Sequence, residues 1–171
     1  MSNPQSYATL KPAFFLHLDV EEPKPIFKNE SGSLTLVPIN GGYTKTIDPS
    51  YPFDTEVITG WDNLTTRSAD GNQTITLDCS VYLKTKSNGS GVKFYYNGTI
   101  VPSEKQVDVI TGKSSKHEPL EGYVTATPTV ELDSNAVEEQ WINHKKLIAR
   151  GRFVRNEKGV LGVEYWVYVL D

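Results

Sequence analysis

Asp78 and Tyr82 stand four residues apart in TITLDCSVYLKT (Thr74–Thr85), so in a strand they share one face. A carboxylate beside a phenol suits proton transfer and hydrogen bonding to an oxygenated ligand. Asp62 and Arg67, five residues apart in WDNLTTR, are the residue types of a charge-assisted pair at a loop or barrel mouth. Together Asp78, Arg67 and Tyr82 form the candidate catalytic set. Trp61, Asp62, Tyr96, Tyr123 and His17 are candidate ligand contacts, the aromatics offering an apolar wall with one polar atom each. His17, inside AFFLHLDV, reads more readily as a satisfied core histidine than as a base. His117 and His144 read as surface residues, and Cys79 as an inert buried thiol.

The strand that carries Asp78 has two faces, and two readings follow. Ile75, Leu77, Cys79, Val81 and Leu83 pack inside while Asp78 and Tyr82 meet water, or the polar set lines an internal cavity and the apolar set is covered from outside. The second reading places Asp78 and Tyr82 at a site and calls for a homodimer over the exposed apolar strand.

These side chains need strands to position them. Ala13–Val20, Ser33–Ile39, Val57–Gly60, Thr74–Thr85, Gly91–Val101 and Leu120–Leu132 are rich in β-branched and aromatic residues, and KLIARGRFV and GVLGVEYWVYVL flank the turn RNEKG as a terminal hairpin. One short helix is expected from Asn135 to about Ile142, with Trp141 anchoring it. Ile47–Phe53 and Gln106–Glu118 read as loops. Many strands, one helix and no βαβ rhythm imply an all-β sheet closed on itself or a sandwich. Residues 1–12 read as a flexible N-terminal segment and residues 13–171 as one domain.

The balance of 171 residues, 37% hydrophobic and 22% charged, is that of a globular chain, and a net charge of −4 without a basic cluster excludes a nucleic-acid surface. No apolar run is long enough for a membrane-spanning helix. One cysteine permits no internal disulfide, and no Cys/His spacing suits a metal. Asn-x-Ser/Thr triplets begin at Asn29, Asn63, Asn72, Asn88 and Asn97, several within turn-like text. They point to N-glycosylation in the secretory pathway or outside the cell, with a leader removed. A cytoplasmic location, with the triplets as ordinary turn chemistry, is the alternative.

Gly41–Tyr43, GWDNLTTRSADG (Gly60–Gly71), LDCSVYLKT (Leu77–Thr85), TPTVE, WIN, Gly151-Arg152 and VEYWVYVL follow one another in an order that resembles a bacterial and fungal family known as a domain of unknown function, number 3237. Asp62 and Arg67 keep its five-residue step, and Asp70-Gly71, Leu77-Asp78 and Trp141-Ile142-Asn143 match as well. Trp61 precedes Asp62 where the family places Trp after it, and Val81 stands where the family has Tyr, with Tyr82 beside it. The resemblance implies a closed antiparallel β-barrel with a central pocket, similar to calycin or allene-oxide-cyclase-like barrels. It further implies a fungal accessory protein of natural-product biosynthesis. On that basis the expected function is cofactor-free cyclisation or hetero-Diels–Alder-like cycloaddition of a hydrophobic oxygenated intermediate. A lipocalin-like carrier without turnover is the alternative.

Overall fold

The computed structural model describes residues 7–67 and 73–171. Its strands are β1 (Leu10–Val20), β2 (Lys24–Asn29), β3 (Gly32–Thr46), β4 (Thr55–Arg67), β5 (Ile75–Thr85), β6 (Gly91–Val101), β7 (Tyr123–Leu132), β8 (Lys146–Arg155) and β9 (Leu161–Leu170). Antiparallel pairing runs β1-β9-β8-β7-β6-β5-β4-β3, and β3 pairs β1 again from Phe14↔Thr46 to Val20↔Ile39. Eight strands thereby close into the expected barrel, and β2 is a hairpin partner of the first part of β3. β3 serves two neighbours on one edge in succession, β2 from Gly32 to Leu36 and β1 from Ile39 to Thr46, and Gly42 lies within the second stretch. Its φ of +133° is strained for any side chain, and a Cβ there would lie 2.1 Å from the His17 carbonyl oxygen.

The alternation in β5 resolves to the simpler of its two readings. Leu77, Cys79, Val81 and Leu83 are at most 1% exposed, while Asp78 is exposed and Tyr82 half-buried on the outside. Burying the apolar set removes more surface from water than burying one carboxylate could recover. The outward leucine face that called for a homodimer is therefore in the core, and the dimer argument loses its premise.

Aromatic side chains fill one end of the barrel. The Phe14 ring lies 4.5 Å from Phe53, 6.3 Å from Phe94 and 6.5 Å from Trp141, centroid to centroid. Trp141 donates its indole N–H to the Pro52 carbonyl at 2.9 Å. It thus plugs the barrel, but from a 3₁₀ turn (Gln140–His144) and not from the α-helix expected at Asn135–Ile142.

The α-helix lies elsewhere, in text read as a loop: α1 (Glu104–Ile110). A capping box starts it, with Ser103 Oγ accepting from the Gln106 N–H and Gln106 Oε1 accepting from the Ser103 N–H at 2.8 Å. Ser103 Oγ also donates to the Glu121 carbonyl at 2.9 Å. At the other end Arg155 donates from Nε to the Val109 carbonyl at 2.7 Å and from a second nitrogen to the Ile110 carbonyl. α1 is thereby tied across the barrel end opposite the aromatic plug. His117, expected at the surface, is 2% exposed just beyond it. Its Nε2 accepts from the Phe153 N–H at 3.0 Å, which leaves Nδ1 to donate to the Glu118 carbonyl at 2.9 Å.

Candidate functional site

Beneath α1 the barrel is hollow. A cavity of about 300 Å³ lies between short aliphatic walls such as Val20, Ile39, Ile75 and Val163, roofed by Val107 and Ile110. That volume is at the lower end of cavities that hold small molecules, about 300–1,000 Å³. Asp62, Tyr96, Tyr165 and Gln106 bring polar groups to it.

The ladder explains how three of these meet. Asp62 pairs with Cys79 across β4 and β5, and Cys79 pairs with Tyr96 across β5 and β6, so all three project inward at one level. Tyr165 reaches the same level from β9, its ring 5.3 Å from that of Tyr96. Gly151, directly opposite Tyr165, makes the space: a Cβ there would lie 2.6 Å from the Tyr165 ring carbon Cε1. Tyr96 rests edge-on against Phe94 at 6.2 Å, so the polar level is the floor of the cavity and the top of the aromatic plug.

Burial pushes the Asp62 carboxyl up to about 7; the Asp78 backbone and the Tyr96 hydroxyl pull it back more weakly, and the Asp78 charge adds to the rise. Its Oδ1 is buried without a hydrogen-bond partner. Near neutrality Asp62 is therefore present both as acid and as carboxylate, the condition for passing a proton in either direction. Burial also pushes the Tyr96 and Tyr165 phenols well up, so both remain O–H donors. The Cys79 thiol is raised by burial too and stays protonated, which makes it a poor nucleophile.

Of the eight candidate residues, the structure brings Asp62 and Tyr96 together and leaves the others on the outer surface. Asp78 is exposed on β5. Tyr82 packs outside against Trp61 at 5.8 Å, and Trp61 is 39% exposed. Arg67 lies on the face of β4 opposite Asp62, because an odd separation reverses the side chain, so the expected pair does not form. Tyr123 is exposed under the Arg150 guanidinium at 5.0 Å. His17 projects outward, with Nε2 3.1 Å from Asp19 and Nδ1 3.4 Å from Glu164; the Glu164 hydrogen bond is the largest influence and raises it.

Sequence reasoning missed Tyr165 and Gln106 as site residues. The alternation Leu161, Val163, Tyr165, Val167, Val169 carries the signal for Tyr165, and the Ser103-x-x-Gln106 spacing carries that for the helix holding Gln106. Among the glycosylation candidates, Asn29 and Asn88 are exposed in turn-like hydrogen bonding, with Asn88 Nδ2 donating to the Asn135 carbonyl at 2.8 Å. Asn63 and Asn97 lie on the outer faces of β4 and β6, so Asn97 is a strand residue and not the turn its neighbours suggested. Asn72 lies outside the described residues.

Fold and cavity define a closed antiparallel β-barrel with a hollow, apolar interior half. The chain belongs to the family described as "Protein of unknown function (DUF3237)", whose model matches residues 8–170. It is similar to a conserved protein of unknown function from Rhodopseudomonas palustris, with 18% identity over 98% of this chain and 100% of that one, at a TM-score of 0.75. A protein of unknown function from Clostridium acetobutylicum has 18% identity over 95% and 99% of the two chains, at a TM-score of 0.70. An enzyme from Penicillium herquei has 15% identity over 100% of both chains, at a TM-score of 0.57. At such identities the likeness is one of fold. No curated protein matches. Among the described residues no helix is long and apolar enough to cross a membrane.

Proposed function

We propose that the protein is a cofactor-free enzyme that cyclises a hydrophobic, oxygenated small molecule inside the barrel, with Asp62 as the proton-transfer group. The observation that carries this reading is a buried carboxyl, pushed up to about 7 and with one oxygen unpartnered, facing an apolar cavity. A purely structural aspartate would be expected to fill its hydrogen bonds. Binding in a dry cavity would fold the substrate into a reactive pose and remove part of the entropic barrier. Tyr96 and Tyr165 would donate to an oxygen that gains negative charge, and Asp62 would take the proton released or return it. The fold shared with a fungal enzyme is in keeping with a natural-product role.

The test is to incubate the purified protein with hydrophobic intermediates made by the enzymes encoded beside its gene. Product rate and stereochemistry are followed from pH 5 to 9. The expected result is turnover with a limb near neutral pH, lowered about 10²–10⁴-fold by Asp62→Asn. Saturable binding with no change in rate or stereochemistry would instead make the barrel a lipocalin-like carrier. A secretory location is part of the proposal only through the Asn-x-Ser/Thr triplets, and intact mass before and after endoglycosidase reads it directly.

A further inference from the structure

Gln106 of α1, one of the residues that line the cavity, carries a second polar atom without a partner. Gln106 is 1% exposed, and its Nε2 is buried with no hydrogen bond. Which end of the amide faces the unpaired position is fixed by chemistry. The Ser103 N–H can only donate, so the group 2.8 Å from it is the Gln106 carbonyl oxygen. Nε2, which can only donate, is left free. The Gln106 side chain packs so closely over Gly122 that a Cβ there would lie 2.3 Å from Nε2. The amide is therefore held, at the roof of the same cavity that has Asp62 in its floor.

The two ends are well apart. From Tyr96, at the level of Asp62, β6 continues for five residues to Val101 before Ser103 starts the helix. The inward positions between are aliphatic or glycine.

We infer that Gln106 is a specificity-determining residue, its Nε2 donating to an acceptor-only oxygen of the ligand such as a ketone, ester or lactone carbonyl. The cavity then selects molecules that carry such a carbonyl and a hydroxyl separated by an apolar stretch, the carbonyl toward α1 and the hydroxyl toward Asp62. This rests on the reading of the cavity as a substrate site and adds the class of substrate. A ligand lacking the carbonyl leaves the amide N–H buried and unpaired, which weakens binding by roughly tenfold.

Three matched probes test it by calorimetric titration: 4-hydroxydihydrochalcone, 4-(3-phenylpropyl)phenol, which lacks the carbonyl, and dihydrochalcone, which lacks the hydroxyl. The first is expected to bind about tenfold more tightly than either of the others. Gln106→Glu, titrated at pH 9 so that the carboxyl is ionised, keeps an acceptor for the Ser103 N–H, and with it the capping box, but removes the donor. It should abolish the preference for the carbonyl and leave the affinity of 4-(3-phenylpropyl)phenol within about twofold. Gln106→Met, with its melting temperature recorded, should do the same. If Gln106 only caps the helix, Glu would preserve the carbonyl preference; that result overturns the inference and leaves the substrate-site reading standing. Failure of all three probes to bind would overturn both.

Discussion

The two halves of this barrel are built on the same eight strands and differ in what points inward. At one end the Phe14, Phe53, Phe94 and Trp141 rings meet at 4.5–6.5 Å and leave no room. At the other, Val20, Ile39, Ile75 and Val163 reach inward with short branches and leave about 300 Å³. An eight-stranded barrel is just wide enough either to be filled by its side chains or to hold one small ligand. This one does both, and the boundary falls between Phe94 and Tyr96, two residues apart on β6. Polar groups follow the same division. In the filled half Thr44 Oγ1 donates to the Phe53 carbonyl at 2.6 Å and meets Thr55 Oγ1 at 2.7 Å. Glu139 Oε2, at the rim beside Ser87, is the unpaired atom at that end. In the hollow half the unpaired side-chain atoms among the described residues are Asp62 Oδ1 and Gln106 Nε2, both on residues that line the cavity. Dense ring packing makes one half a foundation; unfilled volume beside unspent hydrogen bonds makes the other a site.

The largest expected difference between the halves is in stability. Phe14→Ala removes a ring that touches three others and should cost about 3–5 kcal/mol, because the plug cannot collapse around the gap. Ile100→Ala, on a wall that already faces empty space, should cost about 2 kcal/mol, the low end for such a change, and enlarge the cavity. Denaturant titrations of the two variants measure the contrast. Equal losses would mean that the hollow half is as tightly packed as the filled one.

The next effect is electrostatic. The folded protein holds the Asp62 proton up to about pH 7, above the ordinary carboxylate value of 3.8 that the unfolded chain has. Between those values the folded state binds more protons, so this group's contribution to stability is fully present below about pH 4 and is lost as pH rises to 7. Three pH units correspond to at most about 4 kcal/mol. Asp62→Asn should therefore gain stability relative to the parent across pH 4–7 and hold that gain above it. Urea unfolding of both proteins at several pH values measures the difference, and a constant offset would put Asp62 in contact with water.

Most of the strands could be read from alternation, which left a closed sheet or a sandwich open; the resemblance implied the closure, and the face of β5 stayed between two readings until the burial of Leu77, Cys79, Val81 and Leu83 decided it. The site could not be read from that strand. Asp78 looked chemical because it sits among apolar residues, yet its face is set by them and turns it outward. Asp62 looked like half of an ion pair, and what draws it inward is its register opposite Cys79, altered by the irregularity between Val57 and Thr59. Register between strands is a long-range property that a single strand's text does not contain. The helix was misplaced for a different reason. α1 spans seven residues, too few for a convincing apolar period, and only its capping box marks it.

The smallest effect concerns how α1 is held over the hollow half. Arg155 donates from three nitrogens, to the carbonyls of Val109, Ile110 and Gly159. The first two of these carbonyls end a short helix whose own hydrogen bonds, such as that from the Thr111 N–H to the Val107 carbonyl at 2.9 Å, are few. Arg155→Met keeps much of the side chain's apolar length and removes the donors. The filled half makes no use of them, so global stability should fall by only about 1 kcal/mol. The roof should loosen far more visibly. Amide exchange at Val107 and Thr111 is expected to speed up about tenfold, while that at Leu16 and Phe94 stays unchanged. Faster exchange at all four positions would show that the clamp braces the whole barrel. Faster exchange at the helix alone would mean that the cavity can open without disturbing the plug beneath it, which is how a ligand could enter a barrel that stays folded.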